Sequence, residues 1–400
     1  MKKLVVSIFI LACAVQLVAQ NTKFKVTAGN RDAVNTLVYV SLKKALPPNK
    51  TSAYDVVDDK TGARYPAQFS DGSTLVFKLT GMLPAGKTNT YTIKPADTKL
   101  KAGARIEPKK DGMLITVNNR PVFFYNTAVK NPPAGSPDYY RRSGFIHPLY
   151  SPDGSVLTDD FPAGHMHQHG IFLTWVNTTF RGEMVDFWNQ HKNTGTVEHV
   201  EVLGIEEGPV FSRLKTKLRH ISLKHGPVLE EVWTITIYNF ADHYMFDLAS
   251  EQVNITADTL YINKYQYGGL AFRGSREWNR HDSVHFRNLW QVLTSEGKDT
   301  ADANHTKARW VDASGKVNGK LNGVTILADV GNFRYPQSIR VHPDMPYWCF
   351  APMVDGAFAL VPGGLYKSRY RFVVHAGQPD VKGIELKWKD WVNPVRGVVR

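Results

Sequence analysis

From Gly112 to about Gly377 the chain alternates apolar and polar residues with a period of two, and this pattern confines it to one fold class. Runs such as GMLITVNN, RPVFFYN, SRLKTKLRHIS, LEEVWTITIYN, YMFDLASEQVNI, GVTILAD and YRFVVHA put every second side chain on one face of an extended backbone. Almost no stretch carries a helical period. Strands this long and this numerous predict two large sheets packed face to face rather than an immunoglobulin-sized unit. The expectation is an all-β protein, with a small N-terminal β-sandwich followed by a large two-sheet antiparallel β-supersandwich.

A chain of 400 residues has room for two domains. Residues 1–20 carry Lys2 and Lys3, then an apolar run, then Ala19-Gln20, the layout of a secretory signal peptide. A periplasmic or secreted location follows, with a lipoprotein anchor at Cys13 as the lesser alternative. Residues 21–95 alternate short β-rich runs (FKVTA, TLVYVSL, AYDVVDD, STLVFKL, TYTIKP) with Gly, Pro and Asn turn signals, as in an accessory β-sandwich. The charged segment 96–111 reads as a linker, 112–377 as the β-supersandwich, and 378–400, with Trp388 and Trp391, as a last strand or clamp. After the leader, no run approaches the roughly 18 apolar residues of a membrane span. Cys349, the one cysteine outside the leader, reads as a small buried residue in YWCFA.

The formal charge of +13 comes from 49 Lys and Arg against 36 Asp and Glu. The basic residues are scattered, as at Lys109-Lys110 and Arg141-Arg142, and no nucleic-acid motif accompanies them. A solvated basic surface is the simple reading, and attraction to an acidic polymer such as a uronic-acid glycan is the sharper one.

Chemistry concentrates between Phe161 and Gln190. His165, His167 and His169 alternate, so an extended backbone would place all three imidazoles on one face. His165, His167 and His169 are the possible metal ligands: two histidines at i and i+2 can reach one zinc or copper ion, and His147, Glu183, Asp186 or His342 could supply a further ligand. For acid/base work, His165 or His167 would pair with Glu183 or Asp186; Asp186 is favoured because Val185, Phe187 and Trp188 would bury it. Trp188, with Trp175, Tyr267 and Trp348, offers a face for a sugar ring. In YQYGGLAFR the paired glycines Gly268 and Gly269 allow a close backbone approach, and Arg273 can bind a carboxylate or hydroxyls. His342 is grouped with these as substrate-binding. Glu251 and Asn254 are lesser candidates, and His375 reads as structural.

The order HPLYSPDGSVLTDDFPAGHMHQHGIFLTW, VDFWNQ, YQYGGLAFRGS, ARWVDASG, VTILAD, RYPQSIRVH and RYRFVVHAG resembles a bacterial secreted family labelled PmoA-like or methane oxygenase, over nearly all of the large domain. The resemblance implies a galactose-mutarotase-like β-supersandwich. Members of that family often read Asp-His-Pro-His-His-Arg-Gly where this chain has Gly164-His165-Met166-His167-Gln168-His169-Gly170. His165 and His167 therefore match the pattern, whereas His169 stands in the place of an Arg. In the N-terminal domain, GARYPAQ followed by Leu-Pro-Ala-Gly at 83–86 resembles accessory sandwiches of secreted carbohydrate enzymes.

No GxxxxGK[ST] loop, dinucleotide fingerprint, HExxH or GxSxG occurs. Three classes stand: a carbohydrate-processing enzyme working by hydrolysis, elimination or isomerisation; a metal-dependent oxidoreductase or hydrolase; and a non-catalytic glycan-binding protein. The expected partner is a carbohydrate substrate or ligand, with no nucleic acid and no membrane span.

Overall fold

The structure, a computed structural model, describes residues 22–42, 54–96, 101–240 and 242–399. The segment read as a signal peptide lies outside the described residues. The chain divides into two compact units, the first formed by residues up to Gly103 with Gly208–Phe211 and Glu385–Arg400, the second by Ala104–Glu207 and Ser212–Ile384.

In the first unit the strands close on themselves rather than forming an open sandwich. Strand Lys23–Thr27 pairs on one side with Thr88–Pro95 and on the other with Val395–Val399. That C-terminal strand also runs parallel to Ala33–Ser41, which completes a seven-stranded barrel. Closure leaves no open edge for another chain to pair with. The barrel is filled by Phe24, Val38, Phe77 and Tyr91, with the Phe24 and Tyr91 rings stacked at 5.6 Å.

The tail thus ends in a strand, and the sequence reading missed what precedes it, the α-helix Val381–Val392. Ile384, Trp388 and Trp391 follow the i, i+4, i+7 spacing of one helical face, and Asp380 starts the helix by accepting from Gly383 N at 3.1 Å. It is the one α-helix among the described residues, and none there is long and apolar enough to cross a membrane.

The segment read as a linker is partly strand. Ala104–Lys109 pairs with Gly112–Val117, burying Ala104 and Ile106 while Arg105 points outward. Its charges mark the outer face of an edge strand, which is how such edges are kept from pairing with other chains.

The second unit is all-β and antiparallel. A nine-stranded sheet runs in the order Lys307–Ala308, Gln337–Val341, Tyr347–Phe350, Gly269–Arg273, Ile171–Thr174, Phe145–Leu149, Arg120–Asn126, Gly112–Val117, Ala104–Lys109. An eight-stranded sheet is built around Gly226–Tyr238, Tyr244–Asn254 and Leu365–Ala376. The two meet through their inner faces, where Phe123 lies 4.8 Å from Phe246 and Phe350 lies 5.2 Å from Tyr370. A short four-stranded sheet joins Glu183–Val185, Thr178–Phe180, Leu260–Ile262 and Phe358–Leu360.

Candidate functional site

The register of the nine-stranded sheet decides which residues share a face. Arg273 pairs with Tyr347, and Phe272 pairs with Trp348, Ile171 and no polar residue. Paired residues on neighbouring strands point the same way, so Phe272, Trp348, Ile171 and Val341 turn to the inner core. Arg273 and Tyr347 turn to the outer face, and His342, whose N–H donates to Tyr347 O at 2.9 Å, joins them there. Trp348 is therefore a core residue, not the sugar platform suggested by its sequence.

The histidine stretch is not an extended strand. Pro162 and Gly164, the latter at φ +86°, set up two successive turns, closed by His165 N to Pro162 O at 3.1 Å and Gln168 N to His165 O at 3.0 Å. The loop is pinned at its base, where Asp160 bridges to His169 and Gly170 N bonds to Asp159 O at 2.8 Å. Gly170 is required there, since a Cβ would sit 2.2 Å from Ile146 O at a φ of +50°. Gly269 makes the close approach expected of the paired glycines: a Cβ on it would lie 2.5 Å from Phe350 O.

The turns split the histidines into two kinds. His165 and His167 have ring centroids 5.2 Å apart, His165 lies 5.6 Å from His342, and His167 lies 5.4 Å from His191. His169 faces inward instead, with Nδ1 2.6 Å from Asp160 Oδ1 and Nε2 3.1 Å from Gln190 Oε1. Both of its nitrogens are engaged, so the expectation of His169 as a metal ligand fails.

Arg273 is the charge that His165, His167 and His342 share, since it disfavours a proton on each of them. Burial comes first in holding all three below the ordinary imidazole range: His342 to about 4, and His167 well below it. His342 Nδ1 accepts from Asp344 N at 3.1 Å, which leaves its proton on Nε2. His165 Nδ1 is buried without a partner. The site at neutral pH is thus a set of uncharged imidazoles beside one guanidinium.

These buried histidines predict an acid-sensitive fold. His147, with Nδ1 3.0 Å from Thr158 Oγ1, and His199 are also lowered to about 4, again chiefly by burial. Between pH 6.5 and about 4 the unfolded chain takes up protons that the folded chain refuses. Stability should be flat above about pH 6.5 and fall below it, by on the order of 1 kcal/mol per pH unit for each such histidine. Urea midpoints across pH 4–8 would measure this, and a midpoint independent of pH over 4–6.5 would refute it.

The carboxylates proposed from sequence go elsewhere. Glu183 lies exposed on a short strand and pairs with Lys224 and with His225 Nε2, the latter at 3.0 Å. Asp186 is buried as expected, but its carboxylate is occupied: Oδ1 accepts from Trp188 N at 3.0 Å and Asn189 N at 2.7 Å, and Oδ2 from Asn189 Nδ2 at 2.8 Å. It anchors a turn instead of facing the imidazoles, and Asn189 Oδ1 passes the contact on by accepting from Tyr267 Oη at 3.0 Å. Trp188 is fully buried among Phe172, Tyr267 and Tyr347, and Trp175 donates from Nε1 to Gln252 in the core at 2.6 Å, so neither is open to a sugar. Glu251 pairs with Lys367 at 2.7 Å, Asn254 braces a turn, and His375 binds Asp312 at 2.8 Å, all away from the histidines' contacts.

Sequence reasoning passed over His191, one residue beyond the stretch it singled out, and Gln168, which accepts from Arg273 Nη1 at 2.9 Å. Zinc or copper would need His165 and His167 with a third ligand. His342 approaches one and His191 the other, but among the described residues no group of three His, Cys, Asp or Glu is arranged to hold an ion.

A two-sheet antiparallel β unit thus carries a cluster of histidines beside a buried arginine on the outer face of its larger sheet. The chain belongs to a family of unknown function (DUF6807), whose model matches residues 113–389 and so takes in this whole site. No curated protein matches it. Solved structures similar to it include the GH36 α-galactosidase AgaA from Geobacillus stearothermophilus, at 12% identity and a TM-score of 0.29 over 69% of this chain and 40% of that one. A variant of that enzyme in complex with 1-deoxygalactonojirimycin is similar at 11% identity and a TM-score of 0.27, over 70% of this chain and 40% of that one. This chain therefore spans less than half the length of those galactosidases.

Proposed function

We propose that the protein is a carbohydrate-processing enzyme in which His165 or His167 moves a proton on the sugar while Arg273 stabilises the charge that develops. The observation that carries this reading is the cluster of His165, His167 and His342, held uncharged at neutral pH by burial and, to a lesser degree, by the charge of the buried Arg273. A neutral imidazole is a base at pH 7, and a fixed cation beside it lowers the energy of an oxyanion or enolate. Elimination or isomerisation fits this set better than hydrolysis, because hydrolysis in the common pattern uses two carboxylates flanking the bond. The two carboxylates offered by the sequence are tied to a turn and to a surface ion pair. A sugar is supported by the half-buried Tyr265 and Tyr267 near the site and by the two-sheet all-β fold, and the secretory leader expected from residues 1–20 would suit a protein that meets glycans in the periplasm or outside the cell.

Product formation decides it. Incubation with neutral and acidic oligosaccharides should release an unsaturated or isomerised product, read by ultraviolet absorbance and mass spectrometry. Binding across that panel with no turnover would replace the enzyme by a glycan-binding protein.

A further inference from the structure

We propose that the free edge of Arg273 binds the carboxylate of an acidic sugar, so that the substrate class is a uronic-acid glycan; this rests on reading the histidine loop as the carbohydrate site. Arg273 is 0% exposed. Its Nη1 is taken by Gln168 Oε1 at 2.9 Å and Met345 Sδ at 3.4 Å. Nε and Nη2 are buried with no partner at all. Those two atoms form one edge of the planar guanidinium, and their parallel N–H groups match the two oxygens of a carboxylate.

The acidic group whose charge acts on Arg273 makes no hydrogen bond to that edge. Asp159 attracts Arg273, but its Oδ1 is engaged by Arg276 Nη2 at 3.1 Å and by Asp160 N at 3.0 Å. A buried guanidinium with an empty fork costs free energy that a matching anion would recover. The surroundings suit an anion attached to a sugar more than a free ion. His165 Nδ1 is also buried without a partner in the chain. His165 and His342 are half-exposed, and His342 donates from its backbone N–H to Tyr347 O, on the strand partner of Arg273. The same reaction benefits: a carboxylate held at Arg273 acidifies the proton on the adjacent sugar carbon, the proton a neutral histidine would remove, with the electron pair passing into the carboxylate as an enolate.

Calorimetric titration of the wild type with galacturonic- and glucuronic-acid oligosaccharides, and with the same oligosaccharides after reduction of their carboxyls to alcohols, tests this without any substitution. The acidic forms should bind roughly 10- to 100-fold tighter. Arg273→Met should erase that preference and Arg273→Lys should keep part of it, with thermal unfolding checking that each variant folds. Equal affinity for acidic and reduced forms, or an unchanged preference in folded Arg273→Met, would overturn the proposal. If reduced or neutral sugars were turned over in a His167-dependent way with no acidic preference, the proposal would fail while the enzyme reading stood. Arg273-dependent binding of acetate or phosphate with no sugar bound would overturn both.

Discussion

His167→Ala is expected to lower turnover by roughly 10²- to 10⁴-fold, the usual contribution of a positioned acid or base. His167 is 7% exposed and sits between His165 and His191, so its ring is held in place and kept free of a proton by its surroundings. His165→Ala, at the half-exposed position next to His342, should fall in the same range if the two work as a pair, and the double variant should then lose little more than either single one. Asp186→Asn separates chemistry from structure. The new amide turns one N–H toward Asn189 Nδ2, so stability should drop by about 1–3 kcal/mol while turnover per folded molecule stays near that of wild type. Full activity in His167→Ala would remove the imidazole from the mechanism. A folded but inactive Asp186→Asn would return the carboxylate to the catalytic role that its burial suggested.

The sheets were legible because period-two alternation is a direct consequence of strand geometry, and it survives in runs such as SRLKTKLRHIS, where every other residue is buried. The helix before the last strand was not, since Trp388 and Trp391 suggest a strand or clamp, and only together with Ile384 do they mark one helical face. The site was half legible. Alternating histidines did announce a cluster, and His165 and His167 do meet, but through turns that Pro162-Ala163-Gly164 imposes and that send His169 inward to Asp160. Which carboxylate faces which imidazole is set by contacts between residues far apart in the chain, such as Arg273 with Gln168, and no local pattern encodes those. Trp188 and Trp348 show the same limit: aromatic identity promised a sugar face, but strand register turned Trp348 into the core and Phe172, Tyr267 and Tyr347 cover Trp188.

The largest stability effect should come from an ionisable pair in the inner core. Glu231 and His220 are both 0% exposed, with Glu231 Oε2 2.7 Å from His220 Nε2. Glu231 Oε1 accepts from Trp233 Nε1 at 2.7 Å and Gln252 Nε2 at 3.1 Å, and Ser250 Oγ also donates to it. Burial pushes this carboxyl up, but the bond and charge of His220, with Ser250 and Gln252, outweigh it and hold the group below its ordinary value. That stabilisation is present above the carboxylate range and is lost as pH falls through the lowered folded value. His220→Ala would leave a buried carboxylate without its imidazole, at a cost of about 3–5 kcal/mol. Replacing the pair together, as His220→Leu with Glu231→Met, should cost much less than the sum of the two single changes, because no uncompensated charge remains. Gln252 also accepts from Trp175, which directly follows the strand Ile171–Thr174 leading out of the histidine loop, so His220→Ala should loosen the support of that loop as well. Urea unfolding of the four-member cycle measures the coupling, and strictly additive single and double changes would show that the pair is not what holds this core together.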